Sequence, residues 1–288
     1  MDAIEVLARC GGFADRRTVL RLSSRRSLDV SLARGDVVRL ARDRYALPVA
    51  DAAIAASQTH GGVVSHLSAA AYWGWEVAIP PDRPHVTVPK HRRTRSTTAH
   101  LHWADLHAWE VDDGVTTRER TLVDCLRALP FEDALAVADS ALRHGFGRDR
   151  LRALARSVRG PGSAGVRQVA EAADGRAANP FESVLRGLAL QMGLLVEPQV
   201  WVEGVRPDMV DITRSLVLEA DSFSWHGSRA ALRRDCRRYN KLVIAGWRVL
   251  RFAWEDVMHA REDTRSVLAA VDEHPRWTDR PQKRSTAA

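Results

Sequence analysis

In the stretch Val217 to Gly227, VLEADSFSWHG, two carboxylates stand two residues apart in an apolar run that leads into a histidine. Side chains in a strand alternate between faces, so Glu219 and Asp221 point one way while Leu218 and Ala220 point the other. Like charges held side by side repel, and burying them costs more unless a proton or a cation neutralises them. Two resolutions are open: a solvated edge strand, or a metal ion held among the acids. A third acid, Asp208, follows Arg206-Pro207, where a turn residue is the competing reading. His226 has the chemistry of a general base or of a donor to a leaving oxygen, and equally that of a packed, hydrogen-bonded histidine. Asp235, Arg238 and Tyr239, at i, i+3 and i+4, make a polar helix face whose plain reading is an exposed ion pair.

The elements that must position these groups are legible from pattern. PFESVLRGLALQMG reads as a helix, and Asn179-Pro180-Phe181-Glu182 gives it a capping box with Pro at N1, so capping alone would account for Glu182. Strand-like runs follow through SLVLEA, then the basic helix RAALRRDCRRYNKLVIAG, the strand WRVLRF and a helix beginning AWEDVM. Helix, three strands, helix, strand, helix is the order of an α/β sheet covered by helices.

The first fifty residues read differently. A short helix over residues 2–10 stops at Gly11-Gly12. Asp15 caps a second helix through Leu22, and RRSLDVSLARG forms a third that ends at Gly35. Leu28 and Leu32 are its buried side, leaving Arg25, Arg26, Asp29 and Arg34 on or near the open side. VVRLARDRYALP then gives two short strands around Ala41-Arg42-Asp43-Arg44. Three helices and a hairpin is the layout of a winged helix-turn-helix, and Arg39, Arg42 and Arg44 suit a wing that touches phosphate. A small helical domain with a solvated basic face is the alternative.

Between these ends the chain alternates helix and strand signals over residues 51–175, with no catalytic spacing. Its histidines are scattered, and none forms HExxH. His100 and His102 share a strand face but lack an evident third ligand. The expected boundaries are a winged helix over 1–50, a mixed α+β domain over 51–175, an α/β domain over 179–275 and a polar tail over 276–288.

The 288 residues carry a net charge of +7, and 40 of the 43 basic side chains are arginines. A basic balance favours a polyanionic partner, and arginine forks onto phosphate or guanine. No apolar run approaches a membrane span, the start lacks a signal-peptide pattern, and three distant cysteines without CxxC suit a reducing cytoplasm.

NPFESVLR, RPD, LEADSFSWHG, RRDCRRYNKL and GWRVLRFAWEDV together resemble the very-short-patch-repair-like endonuclease-fold domains of the PD-(D/E)xK superfamily, over about residues 179–260. The resemblance implies a restriction-endonuclease-like domain. In it Glu182 is the first-helix acid, Asp208 the acid of the PD motif and Glu219 that of the third motif. Asp221 and His226 assist, and Mg²⁺ or Mn²⁺ sits on Asp208, Glu219 and Asp221. A hairpin register can bring Asp208 beside Glu219, and carboxylates with waters suit either ion. The superfamily lysine two residues after the third-motif acid is absent; Asp221 stands there, and Arg234, Arg238 or Lys241 could supply the cation. Residues 1–175 resemble the AbiEi-type antitoxin arrangement, through Ser65-His66, Ser68 to Ala71, Gly74-Trp75 and TTRERTLVD.

Two functions follow as expectations. One is a metal-dependent endonuclease acting on double-stranded DNA, a nickase of repair or defence. The other is an antitoxin-like repressor with a silent nuclease fold, partnered by a nucleotidyltransferase-type toxin.

Overall fold

The computed structural model describes residues 1–9, 13–41, 43–221 and 229–273. The chain is mixed α/β and divides into two compact units, Met1–Gly175 and Arg176–Ala288.

The first unit begins with α1 (Ala3–Arg9), β1 (Phe13–Asp15), α2 (Arg16–Leu22), α3 (Arg25–Arg34), β2 (Val38–Ala41) and β3 (Arg44–Ala46). Asp15 caps α2 by accepting from Thr18 N, and Ser24 caps α3 by accepting from Ser27 N. Gly35, at φ 76°, ends α3 in the left-handed region where a Cβ is costly. Ala3, Val6, Leu7, Val19, Leu28 and Tyr45 close into one small core. β2 and β3 pair antiparallel, as the hairpin reading expects. β1 adds itself to β3 and gives the order β1-β3-β2. That third strand, Phe-Ala-Asp, is too short to carry an alternation signal.

The unit continues through α4 (Pro48–His60), β4 (Val63–Val64), α5 (His66–Tyr72), β5 (His85–Val88), β6 (His100–Trp103), β7 (Val111–Asp112) and β8 (Val115–Thr116). These strands form a five-stranded sheet, order β6-β5-β4-β8-β7, with β5 and β6 parallel. The helices α6 (Arg118–Ala128), α7 (Phe131–Arg143), α8 (Arg148–Ser157) and α9 (Ser163–Ala172) pack on one another. Alanine is frequent on the buried side of α7, which permits close approach.

The second unit holds α10 (Pro180–Gln191), β9 (Glu197–Pro198), β10 (Met209–Asp211), β11 (Leu216–Asp221), α11 (Arg229–Ile244), β12 (Arg248–Ala253), α12 (Trp254–His259) and α13 (Arg261–Ala269). Its sheet runs β12-β11-β10-β9; β11 is parallel to β12 and antiparallel to β10. β11 is therefore an interior strand, and Leu216, Val217, Leu218 and Glu219 are all at most 1% exposed. Val210 and Val217 pack with Leu242 and Tyr239 of α11, which fixes the face of β11 that α11 covers.

Candidate active site

Position 219 lies on the α11-facing side of β11, in step with Val217. The β10–β11 ladder pairs Met209 with Leu218 and Asp211 with Leu216. One step further along that register sets Asp208 opposite Glu219. Asp208 Oδ2 accepts from Ala220 N at 2.9 Å, which ties the half-buried PD acid to the strand carrying the other two. A solvated edge strand is thus not how the chain accommodates Glu219, since β11 has neighbours on both sides and α11 above it.

Without a metal ion, the Arg238 guanidinium and a retained proton share the neutralisation. Burial first, then the adjacent Asp208 carboxylate, pushes Glu219 up to about 8. Burial also raises Asp208 above the usual carboxylate range. The two carboxyls face one another and titrate as a pair that retains a proton near neutrality. Glu219 Oε2 accepts from Arg238 Nη2 at 3.1 Å, whereas Glu219 Oε1 is buried and, apart from a proton shared with the Asp208 carboxyl, has no hydrogen-bond partner. A buried, orphaned carboxylate oxygen facing a second carboxyl suits a hard divalent cation, which takes one or two carboxylates and keeps the rest of its shell as water or phosphate. Asp208 and Glu219 therefore fit Mg²⁺ or Mn²⁺.

Asp221 has a different partner. Its Oδ2 accepts from Arg251 Nε at 2.5 Å, and the Arg251 guanidinium lies 4.3 Å from the centroid of the Tyr239 ring. Arg238 flanks the same ring at 4.9 Å and donates to Tyr239 Oη at 2.8 Å. Two arginines and a tyrosine thus form a cationic layer over the acids. Of the three candidate replacements for the missing lysine, Arg238 reaches Glu219. Arg234 and Lys241 are exposed, and Lys241 Nζ lies beside Gly204, where a Cβ would come within 3.2 Å of it. Asp235 is half-buried and adds to the field that holds Arg238 charged. His226 lies outside the described residues, as does Arg42 of the hairpin.

Glu182 is engaged as a cap. Its Oε2 accepts from Ala178 N at 2.8 Å and its Oε1 from Asn179 Nδ2 at 3.0 Å, while Glu182 N donates to Asn179 Oδ1. One residue had no signal in the sequence. Gln199, at φ 60°, donates from its backbone N to Asp208 O at 2.9 Å and from Nε2 to Glu182 Oε2 at 3.3 Å. It links the α10 cap to the PD acid, and no spacing rule marks a glutamine for that work.

In the first unit, Arg25, Arg26 and Arg34 are exposed on α3 and Arg39 is exposed on β2. Arg44 is a β3 position. Arg25 stands 3.9 Å from Asp29, an exposed pair of the kind worth little. Among the described residues, the compact group of three metal-type ligand atoms is not the acid trio but His66, His85 and His102. Burial, then the neighbouring imidazoles, lowers these three to about 2, 3 and 4 respectively, so all are neutral at pH 7. No described helix is long and apolar enough to cross a membrane.

No family model matches the chain. Two Mycobacterium tuberculosis proteins, "Uncharacterized protein MT2308" of strain CDC 1551 / Oshkosh and "Uncharacterized protein Rv2248" of strain ATCC 25618 / H37Rv, are each 29% identical to it over 276 residues. The matches cover 87% of this chain and 97% of each relative. Among solved structures, the catalytic domain of homing endonuclease I-Bth0305I matches 30% of this chain and 88% of its own at 17% identity and a TM-score of 0.27. The RV2827C protein of Mycobacterium tuberculosis matches 65% and 78% respectively, at 17% identity and a TM-score of 0.30.

Proposed function

We propose that the chain is a DNA-binding protein whose second unit, a restriction-endonuclease-like domain, hydrolyses phosphodiesters with Mg²⁺ or Mn²⁺. The observation that carries this reading is Glu219: 1% exposed, raised in pKa, one oxygen orphaned, and set against a second carboxyl. A folded chain has little structural reason to keep such a pair without a cation to satisfy it.

In this reading Asp208 and Glu219 would hold the ion, whose chemistry when bound would be activation of water and neutralisation of charge on the scissile phosphate. Arg238 fixes the rotamer of Glu219 and brings a guanidinium to the place where the superfamily pattern has an ammonium. There it faces the charge that develops on phosphate. Arg251 pairs with Asp221 and completes the cationic layer. The first unit docks on duplex DNA as a winged helix. Support comes from α3, its exposed Arg25, Arg26 and Arg34, and the hairpin beside it, closed into a sheet by β1.

The test is nicking of supercoiled plasmid with Mn²⁺ or Mg²⁺. Asp208→Ala and Glu219→Ala should each lower the rate at least about a hundredfold, the scale set by disturbance of a metal's ligand sphere. Cleavage that persists in both variants assigns it to a contaminant.

A second reading has its own support. Arg238 and Arg251 already partner Glu219 and Asp221, as in a silent nuclease fold kept for DNA contact within an antitoxin-like repressor. Tight duplex binding with no turnover on any DNA form favours it.

A further inference from the structure

We propose that His66, His85 and His102 of the first unit bind one divalent transition-metal ion of the zinc class, at a site built from residues other than the acids of the second unit. A ring nitrogen of each histidine lies within 4.8 Å of the others. The topology explains how residues 36 positions apart meet. β5 and β6 run parallel with His85 opposite His100 and Thr87 opposite His102, and α5 begins at His66 just after β4, the other neighbour of β5. The His66 ring stacks on His102 at 3.5 Å between centroids, 15° from parallel, so binding one ion with His102 requires the His66 ring to turn out of the stack and aim its in-plane lone pair inward. His85 Nδ1 lies 3.0 Å from His102 Nε2.

That last contact has a chemical consequence. One of the two nitrogens carries the hydrogen between them. An ion taking both lone pairs requires that hydrogen to move to the outer nitrogen of its own ring, a change of tautomer in which a neutral imidazole loses no proton. His66 Nδ1 is engaged by Ser65 Oγ at 2.9 Å, which leaves Nε2 as its ligand atom.

His66 is held as metal-bound imidazoles usually are, through its outer nitrogen, and the backbone around it and His85 is fixed by further hydrogen bonds. Ser65 is fully buried, and its Oγ accepts from Thr87 Oγ1 at 2.8 Å. Its backbone N donates to His85 O at 3.0 Å, and His85 N donates to Ser68 Oγ at 2.9 Å. His66 itself sits at φ 50°, a left-handed conformation that a residue with a Cβ adopts only when its surroundings require it. His100, the natural partner for His102 by strand alternation, instead bonds Asp82 Oδ1 through Nε2 at 2.7 Å. Three imidazoles select Zn²⁺, Co²⁺, Ni²⁺ or Cu²⁺ over Mg²⁺ or Ca²⁺. His85 also lines a cleft of about 430 Å³ with Leu67, Pro80 and Asp82, which gives solvent a route to a fourth coordination position.

The test is a titration of the chelator-treated, full-length protein with Co²⁺, read by visible d–d absorption, followed by displacement with Zn²⁺. One equivalent of Co²⁺ should give the intense bands of a low-coordinate nitrogen site, and Zn²⁺ should abolish them. His85→Ala and His102→Gln should weaken uptake by about a hundredfold or more, and Ser65→Ala by about ten- to a hundredfold. His100→Ala should leave uptake unchanged, as should the double variant Asp208→Ala/Glu219→Ala, which separates this site from the acids. Zn²⁺ should raise Tm in wild type and not in His102→Gln, whose fold circular dichroism checks. Absence of the bands in wild-type protein overturns the proposal. So does uptake that survives the histidine substitutions, or that disappears with the acids.

Discussion

Glu219 makes the sharpest residue-scale prediction, because its environment sets a sign. Its folded pKa, about 8, lies above the unfolded value near 4.5. Between those values the folded chain keeps a proton that the unfolded chain has released. The associated stability is therefore fully present below about pH 4.5 and lost as pH rises through about 8, a few kcal/mol in all. The groups facing it are Asp208, Asp221, Arg238 and Tyr239, and the raised Asp208 contributes with the same sign. Asp211 has the opposite sign, since hydrogen bonds from Thr213, Leu195 and Arg214 outweigh its burial and hold it below the usual range. It acts only near pH 4 and lower. Below pH 6.5 the lowered values of His66, His85 and His102 act with the opposite sign, so the window that isolates the acid pair lies above it. Metal-free protein should lose Tm from pH 7.0 to 8.5, and millimolar Mn²⁺ should restore it at 8.5 more than at 7.0. Glu219→Gln, isosteric and uncharged, should flatten that slope, raise Tm at pH 8.5 and abolish the Mn²⁺ effect. A thermal-melt series that keeps the wild-type slope in this variant would remove Glu219 from the argument. Arg238→Ala should lower cleavage about a hundred- to a thousandfold, as loss of a charge-stabilising donor does, and a plasmid assay reads it.

At the scale of elements, the helix starts carry the most transferable lesson. Asp15, Ser24 and Asn179 are caps that sequence marks plainly, and each accepts from the N3 amide of its helix. Asn179→Ala should cost about 1 kcal/mol, read as a lower Tm. Glu182 tests whether a conspicuous acid is architecture or chemistry. Glu182→Gln keeps one acceptor oxygen, for Ala178 N, and turns its amide NH2 toward Asn179 Nδ2, so it should melt below wild type, and Glu182→Ala, which keeps neither acceptor, lower still. The long apolar strands β11 and β12 were also readable, through branched and aromatic runs bounded by turns. β1, β4, β7 and β8 were harder, because two or three residues hold no period and their pairing is decided by tertiary partners. The same limit hid the histidine group. Strand alternation puts His100 beside His102, but His66 and His85 join only through the packing of α5 against β5, which no local pattern encodes. Gln199 escaped notice for a related reason: its role depends on a backbone turn at φ 60°, not on its neighbours in sequence.

For the whole molecule, the two units imply separable activities, and that separability can be measured. The arginine excess makes binding to a polyanion salt-dependent, since each phosphate neutralised releases counterions. If α3 is the recognition element, Arg25→Ala and Arg26→Ala should each weaken duplex binding uniformly across sequences. Each should also lower the slope of log affinity against log salt by about one. The Arg25–Asp29 pair should not mask this, because both side chains are largely exposed and such pairs compete poorly with a phosphate. Leu28→Ala, which hollows the small core around α3, should abolish binding by unfolding that region at a cost of about 2–5 kcal/mol. It is therefore the control that distinguishes lost contact from lost fold. Asp208→Ala should leave affinity and salt slope intact while removing cleavage, because it lies in the other compact unit. Duplex affinity should be followed by fluorescence anisotropy across a salt series. If both arginine variants keep the wild-type slope while Leu28→Ala loses affinity, the first unit still contributes to binding, but through a surface other than α3. If Asp208→Ala weakens binding as much as the arginine variants do, then the second unit grips the backbone itself and the charge excess cannot be assigned to one unit.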